Sequence, residues 1–251
     1  MTREEDSKLY NIDEIYKILN EKVSKEKLTN HFEQGTITGI KIKNQWHAKK
    51  SAIDDLKEYI ATQNIKMIDR HTIDLRNITM DGRILDVGGG GEGVIGQLKG
   101  KSVVAIDRRK AEFESGMKAG DTESLKILMD ASDLKFMNNS FDIVSAFFSF
   151  MYMKLEDLKK VFGEIFRVLK VDGELIIWDL NIPSRDKDAK DFIGIYLDVV
   201  IGEKIINTGY GTHWVRERNL KDYLDLAAST GFKIEDQKTD GNTFLIRCRK
   251  K

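Results

Sequence analysis

The stretch Ile84-Leu85-Asp86-Val87-Gly88-Gly89-Gly90-Gly91-Glu92-Gly93 combines residue types that can hold a nucleotide-like ligand. An apolar run that closes on a carboxylate and drops into consecutive glycines predicts a buried strand turning sharply into a helix. Glycine has no Cβ and tolerates positive φ, so such a turn brings bare backbone N–H groups close to a ligand. Gly88, Gly90 and Gly93 satisfy GxGxxG, which by itself admits a nicotinamide or flavin dinucleotide. Asp86 argues for a different ligand. It stands two residues before the first glycine, where dinucleotide folds usually keep an apolar residue. A carboxylate there suits a cofactor that bears an ammonium and a sulfonium and no pyrophosphate.

The elements that must position these residues can be read on either side. Val94, Ile95 and Leu98 start a helix that Gly100 stops, and Ser102 to Ile106 predicts a second strand closing on Asp107. Strand, glycine loop, helix and second strand ending in an acid make the first half of a doubly wound α/β unit, in which that acid commonly takes a ribose hydroxyl pair. Leu125 to Met129 predicts a third strand leading to Asp130-Ala131, and Phe141-Asp142-Ile143-Val144 opens a fourth. Leu155, Leu158, Phe162, Ile165 and Leu169 recur at helical spacing. The run Arg167 to Ile177 then reads as a helix end, a turn and a fifth strand, and a later helix spans Leu220 to Ala228. The chain closes on a hairpin around Asp240-Gly241-Asn242, with Phe244 and Ile246 inward.

This order, with Asp86 and the glycines in front of it, resembles the class I S-adenosylmethionine-dependent methyltransferases over residues 83–251. The resemblance implies a Rossmann-like, doubly wound seven-stranded sheet and S-adenosyl-L-methionine as cofactor. It implies that Asp86, Gly88, Gly89 and Gly90 surround the methionyl part and that Asp107 holds the ribose. Asp130 would bond the adenine amino group beside Ala131, and Phe147 would line the site near the sulfonium. For Asp130 the alternative is a loop cap, and for Phe147 a plain core position. The loop departs from the family's commonest form, DxGxGxG, whose last glycine would fall at position 92; Glu92 stands there, and Gly93 comes one residue late.

Residues 1–62 read as a separate domain, joined by a connector at 63–82 with a short strand at Thr72 to Ile78. Asn11 to Glu14 is an N-cap signature before Ile15, Tyr16 and Leu19. A second helix from Ser24 carries Leu28 and Phe32 inward. Two short strands, Thr36 to Lys43 and Gln45 to Ala48, precede a third helix from Ser51 with Ile53, Leu56 and Ile60 inward. Together with Val23-Ser24-Lys25-Glu26-Lys27-Leu28, Gln34-Gly35 and Gln45-Trp46-His47, this order resembles the excisionase-like (MerR-type) winged helix-turn-helix domain. The resemblance implies a recognition helix over Ser24 to Gln34 and a wing over Lys41 to Lys50. Seven lysines against Glu26 and Glu33 give Lys22 to Lys50 a net charge of about +5, which suits double-stranded DNA. The implied contacts are Lys25, Lys27, Lys41, Lys43 and Lys49. A lysine-rich solvated face on a capping or dimerising module is the alternative, and the recognition helix holds no arginine for base readout.

Composition narrows the rest. Lysine plus arginine equals aspartate plus glutamate at 41 each, so there is no global pull toward nucleic acid or membrane. One cysteine, Cys248, excludes an internal disulfide framework, a multi-cysteine zinc site and an iron–sulfur cluster, and no metal set is read. With no apolar run near about 18 residues, the expectation is a soluble cytoplasmic protein with no membrane partner, and a homodimer is an open expectation.

The acceptor is approached by exclusion. The usual amino-methylating DNA enzymes need two adjacent prolines, and the sole proline is Pro183; cytosine-C5 enzymes need a cysteine after a proline, and Cys248 lies in the last strand. A small-molecule acceptor is the first reading. The others are a DNA-binding regulator whose methyltransferase domain senses or modifies a metabolite, and a non-catalytic cofactor-binding protein. Candidate substrate contacts are Tyr152 in the aromatic segment Ser145 to Met153, Asp179 after the fifth strand, and Tyr210, His213 and Trp214 in an extended or hairpin insertion. Trp214 in the core and His213 on a surface loop are the competing readings. No catalytic base is identifiable.

Overall fold

The computed structural model describes residues 8–21, 23–185, 190–215 and 217–251; Lys22 and the side chains of residues 58–63, Ile60 among them, lie outside that description. The chain divides into two compact units, Met1–Ile65 and Lys66–Lys251.

In the first unit, β1 (Leu9–Asn11) leads into α1 (Ile12–Ile18), followed by α2 (Lys25–Glu33), β2 (Ile40–Ile42), β3 (Gln45–Lys49) and α3 (Lys50–Gln63). The Asn11 side chain accepts from Glu14 N at 3.0 Å while Asn11 N donates back to the Glu14 carboxylate at 3.0 Å, so two otherwise orphaned helix-start amides are satisfied. Ser24 Oγ caps α2 through Lys27 N at 3.3 Å. Lys43 and Asn44 both take positive φ, 45° and 65°, which matches the right-handed strand twist in a two-residue hairpin turn. Ile15, Leu19, Val23, Leu28, Phe32, Ile37, Ala48, Ile53 and Leu56 form the core. Two expectations change. Leu9–Asn11 is a strand, pairing β3 antiparallel to complete a three-stranded sheet. The strand expected over Thr36 to Lys43 shrinks to Ile40–Ile42, because Ile37 turns into the core.

The second unit holds β4 (Ile65–Asp74, from Lys66 on), β5 (Ile84–Val87), α4 (Val94–Lys99), β6 (Val103–Asp107), α5 (Lys110–Ala119), β7 (Leu125–Leu128) and β8 (Phe141–Phe147). It continues with α6 (Leu155–Val168), β9 (Leu169–Leu180), β10 (Phe192–Ile201), β11 (Lys204–His213), α7 (Leu220–Thr230), β12 (Phe232–Asp240) and β13 (Thr243–Lys250). Its main sheet has seven strands in the order β12-β13-β9-β8-β5-β6-β7, all running in one direction except β13, which pairs antiparallel with both β9 and β12. The chain reverses direction across the sheet between β5 and β8. In such sheets ligands bind at the carboxyl ends of the strands beside that switch point.

Both faces of the sheet are covered, so its inner strands are apolar on both sides. Leu85, Val87 and Val144 pack with Leu158, Phe162 and Ile165 of α6 and Tyr223 of α7. Ile84, Ile143, Ile176 and Trp178 pack with Val94 and Ile95 of α4 and with Ile193, Ile195 and Leu197 of β10. Those β10 residues alternate strictly because β10, β11 and β4 make a second sheet with one buried face. Here the expected connector at 63–82 is corrected. Half of it is β4, which starts earlier and runs longer than the strand expected at Thr72 to Ile78, because its partner β10 is supplied by a distant part of the chain.

Candidate active site

β5 ends at Val87, and the chain turns within Gly88. Gly88 has φ of 72°, and its amide and that of Gly89 donate to Ile106 O on β6 at 2.8 and 3.1 Å. Those two amides are therefore used by the fold and are not bare donors for a ligand, which corrects the reading of the turn. The value of the glycines here is close approach. A Cβ on Gly88 would meet Ser149 Cβ at 2.5 Å, and one on Gly90 would stand 2.9 Å from the Asp107 carboxylate. Ser149 is itself fixed by its hydroxyl donating to Val87 O at 2.6 Å.

Asp86 lies beneath the loop, 2% exposed, with Ser145 Oγ donating to it at 2.8 Å. Burial pushes its carboxyl up to about 7 despite the serine bond, with Asp121 and Asp107 adding repulsion. Among the described residues Asp86 has this one hydrogen bond and no cationic partner, an arrangement that suits a cationic ligand group. Asp107 closes β6, and its side chain accepts from Arg109 N at 2.8 Å. Asp130 follows β7 and accepts from Ser132 N and Oγ at 2.8 and 2.7 Å, which lowers its pKa; Arg108 Nε stands 3.5 Å away.

These groups line one cavity of about 800 Å³, together with Ala131, Phe147, Phe148, Tyr152 and Tyr210. That volume falls within the range of cofactor and substrate clefts. Its far wall is aromatic. Phe148 stacks on Tyr210 with centroids 5.3 Å apart and planes 17° apart, and Phe147 meets Phe148 edge-on at 5.1 Å. Phe148 holds φ of 48°, an unusual value for a bulky side chain, at the exit of β8 where it enters that wall.

The structure thus brings Asp86, Gly88, Gly89, Gly90, Asp107, Asp130, Ala131, Phe147, Tyr152 and Tyr210 to one cavity. Three expected substrate contacts lie elsewhere. Asp179 is fully buried, accepts from Tyr223 Oη at 3.0 Å and Leu180 N at 2.8 Å, and has its carboxyl pushed up to about 7 by burial. Trp214 is buried with Nε1 donating to Pro183 O at 2.8 Å. Both are framework, since side chains closed off from the cavity cannot touch an acceptor. His213 stacks on Phe192 at 4.2 Å and lines a separate cavity of about 360 Å³ that shares Tyr152. Cys248 is buried, and its thiol is pushed up to about 12, which removes it as a nucleophile.

Sequence reasoning missed Ser149, Phe148 and Glu92 as cavity residues. For Glu92 a signal was present in the displaced last glycine. A Cβ on Gly93 would lie 2.6 Å from Asp121 Cβ, so Gly93 serves the packing of the loop against Asp121, and the preceding residue, Glu92, faces the cavity.

In the first unit, Lys27, Lys43 and Lys49 are exposed. Lys25 pairs with Asp13 at 2.6 Å, and Lys41 lies 5.2 Å over the Trp46 ring, which in turn stacks on Phe32 at 5.1 Å.

The residues of the cavity fit S-adenosylmethionine: there is an uncompensated buried acid for a cationic group, a glycine cradle that a Cβ would fill, and acids at the ends of successive strands. The fold is the α/β methyltransferase fold, built on a mostly parallel seven-stranded sheet. Residues 85–177 match the methyltransferase domain family. A demethylmenaquinone methyltransferase from Bacteroides fragilis is 32% identical over 111 residues, a match spanning 44% of this chain and 42% of that protein's length. The ubiquinone/menaquinone biosynthesis C-methyltransferase UbiE of Vibrio campbellii is 24% identical over 227 residues, covering 82% of this chain and 85% of its own. Among solved structures, an S-adenosylmethionine-dependent methyltransferase from Methanosarcina mazei shares the fold with a TM-score of 0.53 at 19% identity, over 71% of this chain and 99% of its own. A protein from Pyrococcus horikoshii does so with 0.51 at 18%, over 80% and 91%. No helix among the described residues is long and apolar enough to cross a membrane.

Proposed function

We propose that the chain transfers a methyl group from S-adenosylmethionine to a ring carbon of a small hydroxylated aromatic acceptor of the quinol type. The observation that carries this reading is the division of the cavity into an acid-and-glycine half and an aromatic half. When bound, the cofactor supplies an electrophilic methyl group on a sulfonium. The chain's part is positioning and exclusion of water, since transfer is an in-line displacement. Asp86 and Gly88 to Gly90 hold the methionyl part, Asp107 the ribose, and Asp130 with Ala131 the adenine. Phe147, Tyr152 and Tyr210 offer faces and edges on which a planar ring can lie, with the fully buried Phe148 backing Tyr210. The relatives, named for quinone precursors and for methylation at carbon, support the choice of acceptor.

Calorimetry with S-adenosylmethionine tests the shared core. The wild type is expected to bind, and Asp107→Ala to bind roughly 10- to 100-fold more weakly, the loss of hydrogen bonds to a charged acceptor. Absence of wild-type binding rejects the reading. Mass spectrometry of a demethylated quinol incubated with labelled cofactor is expected to place the label on a ring carbon; label on oxygen rejects the carbon assignment.

A second reading concerns residues 1–62, read as a winged helix-turn-helix module that contacts duplex DNA. It is favoured by the exposed Lys27 on α2 and by Lys43 and Lys49 on the β2–β3 hairpin. Random duplex DNA is expected to be shifted at low salt and released as salt rises, with Lys27→Glu and Lys43→Glu weakening the shift. A wild type that leaves the duplex unshifted at low salt removes this reading.

A further inference from the structure

The residue standing where the commonest glycine loop has its last glycine carries a carboxylate that joins the loop to the aromatic wall. Glu92 Oε2 accepts from Tyr210 Oη at 3.1 Å. Its other carboxylate oxygen has no protein partner among the described residues, and Glu92 enters no ion pair there. The residue is held in place through its backbone, whose carbonyl accepts from Gln97 Nε2 at 2.6 Å. Gln97 Oε1 in turn accepts from Lys204 Nζ at 2.5 Å, at the start of the strand that carries Tyr210. Loop and hairpin are thus tied at two points, and between them Glu92 lines the cavity with one carboxylate oxygen bonded to Tyr210.

Tyr210 is fixed on its other sides. Its ring is stacked on Phe148 and meets Phe147 edge-on at 6.3 Å. Burial first, then the neighbouring Glu92 charge, pushes its phenol well above the ordinary tyrosine value, so it remains a donor at neutral pH. Tyr152 lines the same cavity with its Oη 3.4 Å from Gly211 N, and burial raises its phenol as well. The far half of the cavity therefore presents aromatic faces, two neutral hydroxyls and one half-paired carboxylate.

We infer that Glu92 is the group that accepts the hydroxyl proton of the aromatic acceptor during methyl transfer, with Tyr210 as the residue that positions its carboxylate. This rests on the methyltransferase reading above. A quinol attacks through carbon only as its oxygen gives up a proton, because the freed electron pair is what makes the ortho carbon nucleophilic. That proton passes to Glu92. The ring's electron pair forms the new carbon–carbon bond while the methyl–sulfur pair stays on sulfur. The ring carbon then loses its own proton to water, and Glu92 returns its proton to the oxygen. One methyl group replaces one ring proton, the carboxylate is regenerated, and no oxidant or reductant is consumed.

The test uses the full chain, S-adenosylmethionine and 1,4-naphthohydroquinone under reducing conditions. Glu92→Gln is expected to bind S-adenosylmethionine within about threefold of wild type while losing roughly 100-fold or more of its kcat, the usual loss when a proton-transfer group is removed. Glu92→Asp, which keeps the charge but shortens the reach, is expected to recover part of that loss. Tyr210→Phe is expected to lower kcat roughly tenfold with KM little changed. It is also expected to weaken binding of the hydroquinone to the S-adenosylhomocysteine complex only slightly by calorimetry. Wild-type turnover in Glu92→Gln overturns the proposal, as does loss of cofactor binding in that variant, which would make Glu92 a cofactor ligand. Cofactor binding by the wild type without methylation of the hydroquinone or of simple phenols also overturns it, and leaves the methyltransferase reading of the cavity standing.

Discussion

Gly88→Ala is expected to abolish measurable binding of S-adenosylmethionine and to lower the melting temperature. Two costs coincide at this position. The backbone holds φ of 72°, where a Cβ costs about 1–2 kcal/mol. The added Cβ would also meet Ser149 Cβ at 2.5 Å, and Ser149 cannot retreat without breaking its 2.6 Å bond to Val87 O. The loop must therefore shift, and with it the amide bonds of Gly88 and Gly89 to Ile106 O. Combined costs of this kind reach roughly 3 kcal/mol, a loss of about 100-fold or more in affinity if the cofactor needs the unshifted loop. Gly91→Ala is the control, since a Cβ there meets only Glu112 Oε2 at 3.8 Å, although its φ of 61° carries the backbone cost. If calorimetry finds equal affinities for the two variants, close approach at Gly88 is not what shapes the site.

Affinity for the cofactor is expected to rise with pH up to about 7 and then to level. Asp86 in the free protein has its carboxyl pushed up to about 7 by burial, so at lower pH it is protonated and offers no charge to a cationic ligand. A sulfonium or ammonium beside it favours the ionised form, so binding releases a proton where the free carboxyl is protonated. By linkage, affinity then grows roughly tenfold per pH unit below the free value and flattens above it. The effect on folding has the opposite sense. A carboxyl whose folded pKa is raised contributes stability below its unfolded value near 3.8, and this is lost as pH climbs through about 7. Asp179, also pushed up to about 7, acts in the same direction without bearing on the cofactor. Titration calorimetry in buffers of different ionisation heat reads the released proton directly. Asp86→Asn is expected to remove the pH dependence of affinity, and a dependence that survives in that variant assigns the titration to another group.

Local signals made much of the second unit, Lys66–Lys251, legible. Strands β5, β6 and β8 are buried on both faces and read as apolar runs, and α6 shows its buried stripe at helical spacing. Asp86 near the end of β5 and Asp107 at the end of β6 could be placed because strand and turn are defined by a few neighbouring residues. Depth was not legible. Asp179 and Trp214 have residue types common in active sites, yet they are framework, and only the packing of α7 and β11 around them decides that. The strand within the expected connector was obscured because β4 carries the exposed Lys66, Asp69 and Arg70 with no regular apolar alternation, and its partner β10 lies far along the chain.

The glycine loop itself divides along the same line. The sequence by itself determined that a strand carrying Asp86 runs into a glycine turn, that acids follow at the ends of the next strands, and that position 92 breaks the expected spacing. These follow from chain-local constraints of burial, turn geometry and side-chain size. The tertiary structure alone decided that Gly93 packs against Asp121 and that Glu92 faces the cavity. It also decided that the carboxylate meets Tyr210, 118 residues away. Such a pair is set by where the β10–β11 hairpin folds back over the sheet, and that depends on the burial of Ile193, Ile195 and Leu197 against β5, β8 and β9 rather than on any feature near either residue.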